Sequence, residues 1–169
     1  MIRLEELNTA DRAGFQVLAG PLFEGAPAFV GRAWDARPFA DGEGLHAALC
    51  AAMYAASADE QVALIAAHPD LVGRAALAGT LTPDSTREQA AAGLDRLTPD
   101  DVATFTRLNA AYRARFGFPF VICARENKKA GILAGFEARI GNNRDQEIRT
   151  ALAEIAKIAW LRIQDKVGP

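Results

Sequence analysis

"LTPDDVATFTRLNAAYRARFG", residues 97–117, decides the fold class. It opens on Thr98, whose hydroxyl suits a helix N-cap, followed by Pro99, whose locked φ suits the first helical position. Asp100 and Asp101 come next, where the aligned peptide dipoles leave a positive end. Gly117 supplies the left-handed residue on which helices commonly stop. Working outward, the same period recurs. In "GEGLHAALCAAMYAAS", residues 42–57, Leu45, Ala48, Leu49, Ala52, Met53 and Ala56 fall on one helical face. "ADEQVALIAAH", 58–68, carries Val62, Leu64, Ile65 and Ala66 up to a break at His68-Pro69. Residues 144–166 place Ile148, Leu152, Ile155 and Ala159 at helical spacing. Only "FPFVICA", 118–124, reads as a short extended segment. The pattern predicts an all-α fold, a single domain over 1–169 with about eight helices and no internal repeat.

Composition narrows the function classes. The chain has 169 residues, half of them hydrophobic, and a formal net charge of -2. Its 19 Lys and Arg are spread along the chain and balanced by 21 acidic residues, which argues against nucleic acid as a partner. The apolar runs fall short of the ~20 residues a membrane span needs, so no membrane partner is expected. Two cysteines, Cys50 and Cys123, fit a reduced compartment without a disulfide. The start "MIRLEELNTADR" has no apolar leader and the end "DKVGP" no peroxisomal tripeptide. Both point to the cytoplasm.

Four stretches carry candidate chemistry. His68 precedes Pro69, which disfavours helical angles at the residue before it. The imidazole is therefore expected at a helix end, reachable by a ligand and titrating near neutral pH. Asp70 either orients that ring or caps the next turn. In "TPDSTREQAAAGL", 82–94, Ser85 and Glu88 have the spacing of a capping box. Glu88 then either folds back on the Ser85 amide or acts in proton transfer and N–H recognition. In the second case the amides of Ser85, Thr86 and Arg87 form a helix start that suits an anion. In "RFGFPFVICARE", 115–126, an extended run between helices exposes backbone groups that can read a small polar heterocycle edge-on. Arg139 and Arg162 are each capable of clamping a carboxylate bidentately. Metal binding looks poor: His46 and Cys50 are four apart on a helix with no third ligand, and no phosphate loop or nucleophile elbow occurs.

Together these segments resemble one family, the decarboxylases of 2-oxo-4-hydroxy-4-carboxy-5-ureidoimidazoline (OHCU), which complete the conversion of urate to (S)-allantoin. The resemblance rests on "ARPF" (36–39), "AHPDLVGR" (67–74), "STREQAAAGL" (85–94), "FGFPFVICARE" (116–126) and "FEARIGN" (136–142), in order and over nearly the whole chain. It implies an all-helical fold, a homodimer and decarboxylation without a cofactor. Loss of CO2 leaves electron density that the ring can delocalise, so no pyridoxal, thiamine or metal sink is required. Residue by residue, the resemblance assigns His68 and Glu88 as catalytic. It assigns Pro69, Ser85, Thr86, Arg87, Gln89, Phe120, Val121, Ile122, Cys123, Ala124 and Arg139 as substrate-binding. Arg139 matches the arginine of an "RLxN" pattern whose second position is Ile140 here, and Arg162 remains a competitor for the substrate.

Two other readings compete. "HPD" is also the signature of J-domain co-chaperones, but those precede it with a basic helix, whereas "SADEQVALIAA" has Asp59 and Glu60 and no Lys or Arg. The other is an inactive helical homologue that binds ureido compounds.

Overall fold

The computed structural model describes residues Met1 to Pro169. Nine α-helices carry the chain: α1 (Leu4–Thr9), α2 (Arg12–Ala19), α3 (Gly42–Tyr54), α4 (Ala58–Ala67), α5 (Arg74–Leu77), α6 (Pro83–Ala91), α7 (Pro99–Phe116), α8 (Lys129–Arg139) and α9 (Arg144–Lys166). Three 3-10 segments, Gly20–Leu22, Ala28–Ala36 and Ala124–Glu126, connect them. The β structure is one pair of two-residue strands, β1 (Ile2–Arg3) and β2 (Val167–Gly168), parallel, with Ile2 opposite Val167. The fold is all-α, as the helical period requires. No helix is long and apolar enough to cross a membrane.

The chain forms two compact units: Met1–Ala67 with Ile155–Pro169, and His68–Glu154. In the first, Phe15, Leu22, Phe29, Leu45, Leu49 and Met53 are fully buried. Each such side chain contributes about 1.5–3 kcal/mol by leaving water. The "ARPF" stretch is a clasp in this unit. Arg37 Nη1 donates to the carbonyls of Asn8 and Ala10 at 2.8 Å, and its guanidinium lies 3.9 Å over the Trp34 ring. The Asn8 amide bonds both the N–H and the carbonyl of Phe39, at 2.8 and 2.9 Å. His46 joins α3 to α9, its Nε2 2.9 Å from the Ala156 carbonyl and 3.2 Å from Cys50 Sγ.

The second unit is built on α7. Thr98 is the N-cap that the sequence leads one to expect, Asp101 returns the bond to make the cap reciprocal, and Gly117 closes the helix at φ +80°. Tyr112, Phe116, Phe118, Phe120 and Phe136 make one buried aromatic cluster, with Phe120 and Phe136 stacked at 3.8 Å. Residues 118–123 are irregular backbone and not a strand, because no second strand is available to pair with them.

Helix starts correct one expectation. Ser85 is not the first residue of a capping box: the N-cap of α6 is Thr82, with Pro83 at the first position and the Ser85 N–H on Thr82 Oγ1 at 3.2 Å. The Thr86 N–H bonds the Thr82 carbonyl at 2.9 Å. These amides are consumed within the helix and form no anion site, and Glu88 sits a turn too far along to reach back to the N-cap. The S-x-x-E box is instead at 57–60. There the Ser57 N–H donates to Glu60 Oε2 at 2.9 Å and the Glu60 N–H to Ser57 Oγ at 3.2 Å.

Candidate active site

All the candidate residues except Arg162 belong to the His68–Glu154 unit. α4 stops at Ala67, so His68 stands at the break that Pro69 imposes. Its ring is not exposed, however: His68 is only 6% accessible, and its Nε2 is a buried atom without a hydrogen bond to protein, although other atoms of the residue are engaged. The expectation of an open helix-end imidazole is corrected: the residue stands at the helix end, but its ring is buried.

That turn is held from three sides. Arg113 Nε, on α7, donates to both oxygens of Asp70 at 2.9 and 3.1 Å. Asn109 Nδ2, one turn earlier, donates to the Leu71 carbonyl at 2.8 Å. The Val72 N–H donates to Gln89 Oε1, on α6, at 3.0 Å. Asp70 therefore anchors the loop to α7. Val72 is forced to φ +54°, a left-handed conformation that costs a β-branched residue about 1–3 kcal/mol. Gly73 follows because a Cβ there would meet Asp70 Cβ at 2.6 Å. A loop so over-determined has one arrangement, which is what a residue that must be aimed requires.

On α6, Ser85 and Gln89 are buried and Glu88 is half-buried between them, all on the inward face at i, i+3 and i+4. Thr86 and Arg87 point to solvent, and Arg87 pairs with Asp84 at 2.5 Å. α6 packs against the Ala124–Glu126 turn, and Lys128 Nζ seals its end on the Ala91 carbonyl at 2.8 Å. Burial, and then the carboxylates of Glu126, Glu154 and Glu88, push the Cys123 thiol up to about 11. Glu88 is thus within electrostatic reach of Cys123. The structure brings Ser85, Glu88 and Gln89 together with the His68 turn on one side and Cys123–Ala124 on the other.

The 120–124 backbone is anchored at alternate residues. Arg139 Nη1 donates to the Val121 carbonyl at 2.7 Å. The Cys123 N–H donates to Glu154 Oε2 at 2.8 Å, and the Cys123 carbonyl accepts from Asn127 Nδ2 at 2.9 Å. The peptide groups of Ile122, between these anchors, make no hydrogen bond within the protein. Arg139 is itself 9% exposed and held by Glu147, with Nε to Oε2 at 3.0 Å. Its Nη2 lies 3.0 Å from the same oxygen in a charge contact too poorly aligned to be a hydrogen bond. Glu147 was invisible as a site residue in the sequence, where it reads as one more acid in the first turn of a long helix. It is fully buried and also accepts from Asn142 Nδ2 at 2.8 Å and from the Tyr112 hydroxyl. Burial first, and then that bond to Glu147, hold the Tyr112 phenol far above its ordinary value, so it is a fixed donor. Arg162, in the other unit, pairs with Glu24 at 2.9 Å and is 3% exposed. No group of three or more His, Cys, Asp or Glu is placed to hold a metal ion.

Fold and site together define an all-helical protein with a buried imidazole, a helix-borne carboxylate and anchored irregular backbone gathered in one unit, the equipment of an acid–base enzyme. The family is more particular. Residues 8–164 match the family model described as OHCU decarboxylase, and the chain belongs to that family. It is 38% identical over 168 residues to the 2-oxo-4-hydroxy-4-carboxy-5-ureidoimidazoline decarboxylase of Halalkalicoccus jeotgali, covering 99% of this chain and 93% of that protein. To the enzyme of the same name from Amia calva it is 40% identical over 162 residues, covering 96% and 93%. Among solved structures, it resembles the crystal structure of (S)-allantoin synthase with a TM-score of 0.74 at 26% identity, covering 99% of this chain and 54% of that one. A crystal structure of OHCU decarboxylase in the presence of (S)-allantoin matches in fold, with a TM-score of 0.70 at 20% identity over 92% of this chain and 97% of that one.

Proposed function

We infer that this protein decarboxylates OHCU to (S)-allantoin and CO2 in urate degradation. It is a carboxy-lyase acting on a small molecule. The observation that carries the reading at the level of this chain is the Val72–Gln89 bond, which ties the His68 turn to the face bearing Glu88. Nothing comparable supports a J-domain, whose partner would meet an exposed motif on a basic helix; here the histidine of the motif is buried and the preceding helix is acidic.

The chemistry follows from the substrate. The ring carbon that carries the carboxylate also carries a hydroxyl and neighbours a ring C=N bond. As the carbon–carboxylate bond breaks, its electron pair moves into the ring toward that nitrogen and CO2 departs. The hydroxyl loses its proton as a carbonyl forms, while the ring nitrogen that received the pair and the carbon bearing the ureido group each take a proton, the second of these drawn from solvent. His68 exchanges a proton with the hydroxyl or carboxylate, and Glu88 accepts the ureido and ring N–H groups. Ser85 and Gln89 flank Glu88, and the peptide groups of Ile122 meet the amide edge of the ring. Delivering the last proton from one face sets the S configuration, which the unaided decay of the substrate does not.

Circular dichroism during turnover tests this. OHCU is generated freshly from urate by an oxidase and a hydrolase, with and without this protein. A fast-growing (S)-allantoin signal is expected; growth no faster and no more enantioselective than the spontaneous reaction refutes it and leaves the binding-only homologue. A homodimer and a cytoplasmic location complete the proposal. They rest on the family resemblance and the composition, and are tested by light scattering and by cell fractionation.

A further inference from the structure

Arg139, Asn142, Glu147 and Tyr112 meet in one buried knot behind the 120–124 backbone. Glu147 accepts from three directions, Arg139 at 3.0 Å, Asn142 at 2.8 Å and the Tyr112 hydroxyl, and no part of it reaches solvent. The two polar ends of the Arg139-Ile140-Gly141-Asn142 stretch therefore converge on one carboxylate from the next helix. With Nε so held, Arg139 has its Nη1 on the Val121 carbonyl at 2.7 Å and its guanidinium 4.3 Å over the Phe120 ring. That ring is in turn stacked on Phe136 at 3.8 Å. A guanidinium with these commitments, in so buried a place, is a fixed strut and poorly suited to clamp an incoming carboxylate.

We propose that Arg139 and Glu147 are positioning residues: Glu147 locks Arg139, and Arg139 locks the Val121 peptide, so that the Ile122 peptide groups are presented to the ring and ureido portion of the ligand. The recognised chemistry is the cyclic amide edge shared by substrate and product, and not the carboxylate that leaves. Peptide planes are rigid, so fixing the Val121 carbonyl fixes the N–H of Ile122 directly. Preorganised backbone dipoles of this kind need no rearrangement when the ligand arrives. The proposal rests on the decarboxylase reading for its ligand, while the geometry it asserts stands apart from that reading.

The test uses (S)-allantoin, which keeps the ring and ureido group but lacks the carboxylate. Arg139→Lys retains the charge facing Glu147 but cannot hold Nε and Nη1 contacts at once. Tyr112→Phe removes one donor to Glu147 and keeps the aromatic cluster, so it serves where Glu147→Gln fails to fold. In Arg139→Lys we expect allantoin binding, by calorimetry, to weaken about ten-fold, the fold-change of one charge-assisted hydrogen bond. KM for OHCU is expected to rise in parallel with a smaller change in kcat, and amide hydrogen exchange at 120–124 to accelerate. Tyr112→Phe should move all three readouts in the same direction and less. Unchanged allantoin affinity with a raised KM for OHCU would assign Arg139 to the carboxylate and overturn the proposal. Unchanged exchange at 120–124 in both variants overturns it as well. If the unaltered protein neither binds allantoin nor turns over OHCU, the assigned reaction and the proposed ligand fail together, while the exchange measurement still decides whether Arg139 positions this backbone.

Discussion

Replacing His68 by asparagine separates chemistry from architecture most sharply. His68 is only 6% exposed. Asparagine keeps a polar planar group but is two non-hydrogen atoms smaller, a deficit of about two methylene equivalents or ~1.5 kcal/mol. For a chain of this length that lowers Tm by about 3–6 °C. The protein therefore remains folded at 25 °C. A positioned acid–base group is worth about 10²–10⁴ in rate, or ~2.7–5.5 kcal/mol of barrier. His68→Asn is thus expected to lose at least about 100-fold in kcat/KM while keeping its helical far-ultraviolet spectrum. The assay follows the (S)-allantoin dichroism from fresh OHCU at 25 °C, beside a thermal melt of the same preparation. Near-normal turnover refutes the catalytic assignment. So does a loss of rate that follows the unfolded fraction in the melt, because His68 would then be a core residue at a helix end.

Glu88→Gln should reduce turnover by about 10²-fold or more with a Tm within ~2 °C of the parent, because the α6 cap is Thr82. Unchanged activity would remove Glu88 from the mechanism. Conversely, Thr82→Ala should cost about 1 kcal/mol in a urea melt, and a neutral result would contradict the observed cap. Gly117→Ala meets no neighbouring atom but must hold φ +80°, so a loss of about 1–2 kcal/mol is expected from conformation alone. The Cys123 thiol, pushed up to about 11 from 9.0, is protonated at pH 8 and should resist iodoacetamide in the native protein while reacting in urea. With the folded value raised above the unfolded one, this thiol's contribution to stability is whole below pH 9 and is lost as pH climbs toward 11. Rapid native labelling at pH 8, or stability flat across that range in a comparison with Cys123→Ala, would refute this.

Local signals in the chain settled a good deal. Thr98-Pro99-Asp100 and Gly117 determined both ends of α7, because capping and φ preferences act within one turn. The limits of α9 at 144 and 166 agree with its period, and Pro69 alone ended α4. The same Thr-Pro-Asp signal stands at 82–84, where it marks the start of α6 and outweighs the Ser85–Glu88 spacing. The S-x-x-E spacing at 57–60 is a real box and at 85–88 is not, since a stronger start lies three residues upstream of Ser85. Tertiary structure decided the rest. Sequence placed His68 at a break but not inside the protein, since burial depends on what folds over it. It named Gln89 without showing that its Oε1 goes to Val72. It gave no hint that Glu147, an ordinary helix-start acid, is the buried hub on which Arg139, Asn142 and Tyr112 converge. Local rules act over three or four residues, whereas these contacts join residues up to 35 apart, and only the packed chain determines which distant groups meet.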